Sequence, residues 1–191
     1  MSNVGLGKKV RMSRMVDPKS GKMMAITVDH AISRGIAPMT GLHSIQDTID
    51  KIILGKPDAM TMTKGIAEHC MWKHAGKVSI LLKASNYSPV APTKDTIFGS
   101  VDEAIRMGAD AISMGAMTLG DFQGEQFEAI GKFSEECMAK GMPLIGHVYP
   151  KGESVSVDQR ASWELCPSVS AQFNPNKPHP STLADSEGIN S

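Results

Sequence analysis

The chain has 191 residues, with 20 Lys plus Arg against 20 Asp plus Glu and a formal net charge of zero. Balanced charge argues against nucleic acid or an anionic membrane as the main partner, and no apolar run approaches the roughly 18 residues of a membrane span. The length allows one domain with a sizeable core, and three widely spaced cysteines without a CxxC pair (Cys70, Cys137, Cys166) read as reduced thiols in a cytoplasmic protein.

Residues 1–22 carry Lys8, Lys9, Arg11 and Arg14 but no apolar h-region of a secretory signal. They read as an irregular basic extension lying across one end of the domain, with Asp17-Pro18-Lys19-Ser20-Gly21 as a turn. Met23-Met24-Ala25-Ile26-Thr27-Val28 then predicts a strand buried on both faces, running directly into Asp29-His30. Asp29 therefore stands at the carboxyl end of a strand, where parallel α/β folds place their chemistry. Partial desolvation there makes a carboxylate a better proton acceptor; the alternative is that Asp29 caps the next turn while His30 packs.

A helix begins near Ser44, with Asp47 completing an S-x-x-D start, and presents Ile45, Ile49, Ile52 and Ile53 on one face before Gly55 stops it. Residues 58–63 predict the second strand, followed by Lys64-Gly65 and a helical piece over 66–74. Residues 78–82 predict the third strand, ending in Lys83. Residues 84–99, with Pro89 and Pro92, read as a long loop. Ser100 and Glu103 open a helix that turns Val101, Ala104 and Ile105 inward, and residues 109–114 predict the fourth strand. A helix over about 122–140 buries Phe127, Ile130, Phe133 and Cys137; residues 142–148 then predict the fifth strand, leaving through Tyr149-Pro150-Lys151-Gly152.

A repeat is visible: Gly55-x-x-Asp58-Ala59-Met60-x-Met62 echoes Gly108-x-Asp110-Ala111-Ile112-x-Met114. Five strands alternating with four helices predict a parallel sheet, either open and doubly wound or the front of a (β/α)₈ barrel. No glycine-rich fingerprint follows the first strand, which disfavours a dinucleotide site. In either architecture Asp29, Lys64, Lys83 and Tyr149 fall on one rim, and His147 shares the strand face of Tyr149. Lys64 and Lys83 read as polar groups that bind a substrate, with imine formation by a buried lysine as the alternative. No metal site is expected: His69 and His74 lie about 140° apart on a helix, awkward for a shared ion with Cys70.

Val28-Asp29-His30-Ala31, Thr63-Lys64-Gly65-Ile66, Val101-Asp102-Glu103-Ala104-Ile105-Arg106-Met107-Gly108-Ala109-Asp110-Ala111 and Tyr149-Pro150-Lys151-Gly152 together carry a resemblance. Over roughly residues 7–164 the chain resembles the archaeal-type class I fructose-bisphosphate aldolases and their relative 2-amino-3,7-dideoxy-D-threo-hept-6-ulosonate synthase. The resemblance implies a (β/α)₈ barrel, usually homo-oligomeric, that cleaves or joins phosphorylated ketoses through a lysine Schiff base with no metal or other cofactor. By position, Asp29 matches the acidic proton-transfer residue and Tyr149 the proton donor. His30, Ala31, Ile32 and Ser33 match a substrate-lining loop, and Pro150 and Lys151 the binding neighbours of Tyr149. Ala31 replaces a glycine usual in the family, so the loop is less free to approach phosphate.

The resemblance stops at Trp163-Glu164, short of the sixth strand that would bring the catalytic lysine. Residues 165–191 are rich in Pro, Ser and Asn, and Lys177 sits in Asn-Lys-Pro, where it does not stand in for that lysine. The expectation is therefore an N-terminal extension (1–22), an incomplete aldolase-type barrel of about five parallel strands (23–164) and a disordered tail (165–191), as a shifted reading frame or truncated gene would produce. On this reading the chain is inactive for want of the lysine; the heptulosonate synthase step and a non-catalytic half-barrel are the alternatives.

Overall fold

A computed structural model describes residues 5–34 and 42–152. Within them, strands β1 (Ala25–Thr27), β2 (Ala59–Met62), β3 (Ser79–Lys83), β6 (Ala111–Thr118) and β7 (Leu144–Pro150) form one sheet in the order β1-β2-β3-β6-β7, every neighbour parallel. Strand order thus follows the chain, and the five predicted strands are all present as the front of a barrel. The first is corrected: it spans only Ala25–Thr27 at the edge of this sheet, with Met23, Met24 and Ala25 exposed and Ile26 and Thr27 half-buried rather than buried on both faces. The expectations for residues 35–41 and 165–191 lie outside the described residues.

Side chains alternate across a strand, and here the two alternations differ in kind. Ile26, Met60 and Ile80 are aligned on one face, as are Leu82, Ile112 and Leu144. This is the outer face. The helices α3 (Ile45–Leu54), α4 (Lys64–Cys70), α5 (Val101–Arg106) and α6 (Gln123–Ala139) supply Ile49, Ala67, Cys70, Val101, Ala104, Ile130, Phe133 and Cys137 to the same buried cluster. The opposite face begins with a smaller cluster of Ala59, Leu81 and Ala111, closed from below by Met15.

Met15 belongs to a helix that the local sequence does not announce. Residues 1–22 are expected to be irregular, yet Leu6–Met15 form α1. Its end is tied under the sheet by Arg11 Nη1 donating to the Gly141 carbonyl at 3.1 Å and by Arg14 Nη1 at 2.9 Å from Asp110 Oδ1. Asp58 Oδ2, the other aspartate of the repeat, accepts from Met24 N–H at 2.7 Å. Both repeat aspartates thus anchor the N-terminal segment. The helix has weak intrinsic amphipathicity and forms because Met15 and these bonds hold it.

The expected loop 84–99 is corrected too. Strands β4 (Ser85–Ser88) and β5 (Ala91–Ile97) pair antiparallel as a hairpin, turning at Pro89-Val90. A two-stranded ribbon is all edge, so the prolines that argue for a loop are tolerated in it. The helical piece expected over 66–74 divides into α4 and a single 3₁₀ turn, Trp72–His74. Ile105 and Phe127 do not join the buried cluster: α5 is barely two turns long and spends its inward positions on Val101 and Ala104, while Gln126 takes the buried place in α6. Ser44 donates to the Asp47 carboxylate at 2.7 Å rather than capping the backbone, whereas Ser100 does accept from Glu103 N–H at 3.2 Å. Among the described residues no helix is long and apolar enough to cross a membrane.

Candidate active site

Above its small apolar base the inner face turns polar. The alternation that places Leu81 inside places Lys83 inside as well, opposite Ser113 of β6. Lys83 is the last residue of β3, the central strand of the sheet, and is only 6 % exposed. Burial pulls its ammonium below the usual lysine range, and the carboxylates of Asp29 and then Asp95 work against that fall. Asp29 is 7 % exposed and follows Val28, whose N–H continues the β1–β2 ladder to Thr61 O at 2.9 Å. His30 Nδ1 stands 4.0 Å from Asp29 Oδ1.

The hairpin delivers a second carboxylate to the same place. Ser85 Oγ donates to Asp95 Oδ2 at 2.5 Å and accepts Gly115 N–H at 2.7 Å, so the start of β4 ties β5 onto β6. A Cβ at position 115 would collide with the Asp95 carboxylate, which is why β6 carries glycine where the hairpin presses on it. Gln126 completes the attachment, accepting from Met117 N–H and donating to Thr93 O, both at 2.8 Å. Burial raises the Asp95 carboxyl above its ordinary range, opposed by the Ser85 hydrogen bond and by Lys83. Its Oδ1 is buried without a hydrogen-bond partner among the described residues, and so are Ser113 Oγ and His147 Nε2. Burial, reinforced by Lys83, pushes His147 down to about 4, so the imidazole is neutral at physiological pH.

The remaining expected residues lie at the same end with different partners. Tyr149 shares the face of His147 and is 38 % exposed. Lys151 Nζ lies 3.5 Å from the Tyr87 ring centre and 5.7 Å from that of Tyr149, a cation flanked by two phenols. Pro150 is buried as the last residue of β7. Ala31, Ile32 and Ser33 lie in α2 (Ala31–Arg34), which packs against β4; Ile32 and Ala31 are exposed, and Ser33 Oγ donates to His30 O at 3.3 Å. Lys64 is not brought into the cluster. Its ammonium is half-exposed and paired with Glu103 at 3.1 Å.

Asp29 and Tyr149 stand on the two edge strands, β1 and β7, with Lys83 on the strand midway between them. At about 4.8 Å per strand they would be roughly 19 Å apart on a flat sheet. Asp29 acts on the charge of Lys83, whereas Tyr149 has Lys151 as its charged neighbour. Sequence reading missed Asp95, Ser85, Tyr87 and Ser113. The one available signal was the alternation Ala91-Pro92-Thr93-Lys94-Asp95-Thr96-Ile97, hidden by its proline. The His69–Cys70–His74 group is accounted for structurally: His74 Nε2 lies 2.7 Å from Asp50 Oδ1, and hydrogen bonds from Lys73 and then His74 hold the Asp50 carboxyl well below its usual range.

Known proteins share this architecture. The family model for the DeoC/LacD family aldolases matches residues 23–169. The chain is 30 % identical over 168 residues to 2-amino-3,7-dideoxy-D-threo-hept-6-ulosonate synthase 1 of Archaeoglobus fulgidus, covering 84 % of this chain and 62 % of that protein. Among solved structures it resembles an archaeal fructose 1,6-bisphosphate aldolase (TM-score 0.71, 21 % identity, 87 % of this chain and 67 % of that one). It also resembles a Schiff base forming fructose-1,6-bisphosphate aldolase whose reaction intermediates were analysed (TM-score 0.73, 18 % identity, with the same coverage). At these identities the structural likeness speaks to the fold alone. The chain spans between 56 % and 62 % of the length of the first curated relatives it matches.

Proposed function

We propose, from the premise that this chain belongs to the DeoC/LacD family of aldolases, that its carboxyl rim binds a phosphorylated ketose such as fructose 1,6-bisphosphate and handles the protons of an aldol cleavage or condensation in the cytoplasm. The observation that carries this reading is the buried charged cluster at the carboxyl end of the parallel sheet, where Asp29 and Asp95 act on Lys83 and His147 is held neutral. In an aldol cleavage the hydroxyl proton must leave as the carbon–carbon bond breaks, and the carbon left behind must be reprotonated. Asp29 and Tyr149 are assigned to these transfers, one carboxylate and one phenol on strands that face each other across the barrel. Lys151 and the residues His30–Ser33 are assigned to phosphate and hydroxyls at the mouth, while Lys64 stays outside it on Glu103. Residues 23–164 form the aldolase-type unit in this reading and 1–22 the segment that seals its base.

A second reading has specific support in the 30 % identity to the archaeal heptulosonate synthase. In that case the bound ketose fragment passes to a second aldehyde. Calorimetric binding of fructose bisphosphate, followed by a coupled assay of triose phosphate release, tests the first reading; mass spectrometry of products formed with a series of aldehydes separates the second. Asp29→Asn is expected to leave binding within a few-fold and to lower turnover by about 10²–10⁴. Absence of sugar phosphate binding at millimolar concentration overturns both readings. Binding without any turnover or exchange identifies a non-catalytic half-barrel.

A further inference from the structure

Outside the sheet, α6 runs for 17 residues beside an α5 of only six. Lys140, at the end of α6, pairs with Asp102 of α5 at 2.6 Å, but nothing from α5 lines the stretch from Glu125 to Glu136. What remains along α6, where β5 ends, is a groove of about 450 Å³. Ile97, Ala129 and Phe133 form its apolar floor, and Glu125, Glu128 and Glu136 its rim. Each rim glutamate meets a lysine: Lys94 at 3.4 Å, Lys132 at 2.6 Å and Lys140 at 2.8 Å respectively. Pairs at a solvated surface hold weakly and exchange for another cation at little cost. Taken whole, α6 carries four glutamates against one lysine.

α1 has the opposite character. Its ten residues include Lys8, Lys9, Arg11 and Arg14 and no acid. Arg11, Arg14 and Met15 fasten it to the base of its own chain. The side turned away from Met15 presents Leu6 and Val10, 77 % and 40 % exposed, with Lys9 beside them. These are two apolar side chains one turn apart, next to a cation, on a face that the chain's own fold does not cover. Leu6 and Val10 are four residues apart, and so are Ala129 and Phe133. Rows of that spacing interdigitate when two helices pack.

We propose that α1 of a second copy docks in the α6 groove, so that the chain associates head to tail by a helix-in-groove contact. Leu6 and Val10 enter the apolar floor, and Lys9 reaches the glutamate rim. The two surfaces are different patches of one molecule, so the contact is heterologous. Each copy brings one helix and one groove, and assembly proceeds to a ring or a filament.

The test is sedimentation velocity on the full chain over a concentration series. The unmodified chain is expected to associate, and less so as salt is added, because the rim is charged. Leu6→Glu sets an acid against the acidic rim, and Ala129→Arg fills the groove and repels the basic helix. Each is expected to abolish association, with circular dichroism and Tm showing that the variant still folds. Glu128→Lys, at the surface, takes the place of Ala129→Arg if that variant does not fold. The two variants are then mixed. The groove variant still offers α1 and the Leu6→Glu chain still offers the groove, so a dimer of one chain of each is expected. Variants that stay monomeric when mixed point to a symmetric contact and overturn head-to-tail docking. Association that survives both substitutions overturns it as well. A chain that is monomeric even at millimolar concentration leaves the groove to a partner of another kind, and the proposal fails.

Discussion

On the outer face of the sheet, Met60, Met62, Leu82, Ile112 and Met114 fill the space beneath the helices with large apolar side chains; on the inner face the same strands carry Ala59, Thr61, Lys83, Ser113 and Gly115. Both faces are buried, but for different ends. The outer face removes apolar area from water and gains close contacts, which is where a domain's stability comes from. The inner face has a narrow base plugged by Met15, and above it buries charge and polar atoms that have no partner among the described residues. Stability and chemistry are thus divided by the pleat of a single sheet, residue by alternate residue.

The largest contrast is expected from truncating one residue on each face. Met60→Ala, which empties a fully buried outer position, should cost about 2–5 kcal/mol in urea unfolding. Ser113→Ala, equally buried on the inner face, should lie within about 0.5 kcal/mol of zero, because its hydroxyl has no partner to lose among the described residues. A Ser113 variant costing as much as Met60→Ala would break the division of labour.

Acid comes next. His147 is held neutral in the fold, at about 4 against an ordinary 6.5, so the unfolded chain takes up a proton first as pH falls. The stability it provides is present above pH 6.5 and is lost as pH drops through about 4, a loss on the order of 3 kcal/mol. Urea midpoints measured from pH 7 to pH 4 should therefore fall less steeply in His147→Gln than in the unchanged chain. Parallel slopes would mean that the imidazole is open to water.

A smaller effect is expected where the hairpin presses on the sheet. Gly115→Ala should cost about 1–3 kcal/mol by driving the new methyl group into the Asp95 carboxylate. Most of that cost should vanish in an Asp95→Ala background. A double-mutant cycle with no coupling would show that β5 does not lie against β6 in solution.

The smallest expected change is from Asp95→Asn. Burial raises this carboxyl, so ionisation costs more in the fold than in the unfolded chain; the stability it provides is present below its ordinary 3.8 and is lost as pH rises through its value in the fold. Asparagine keeps an oxygen for Ser85 and never ionises. Its Tm at pH 7 should exceed that of the unchanged chain by about 2 °C, with the gap closing near pH 3. A lower Tm at both pH values would mean that the charged form is the one the hairpin needs.

Much of the architecture was legible in the chain alone. Glycines closing helices, the repeated Asp-Ala opening a strand, and short apolar runs at regular intervals are local signals, and they placed five strands and their parallel order correctly. They also put Asp29, Lys83 and Tyr149 at strand carboxyl ends, because a strand that stops at a polar residue marks its own end. The helix α1 and the β4–β5 hairpin were not legible: one owes its order to Met15 and Arg14 reaching residues far along the chain, the other to Gln126 and Gly115.

Which alternation faces inward was also beyond sequence, since Ala59-Met60-Thr61-Met62 reads as buried on both sides until sheet curvature makes one side narrow. The sequence by itself determined the order of the elements and the rim on which charged residues stand, through interactions between near neighbours. Only the tertiary structure decided that Asp95 joins Lys83 and that Lys64 turns away to Glu103. Burial and charge pairing depend on what the fold brings together, not on spacing along the chain.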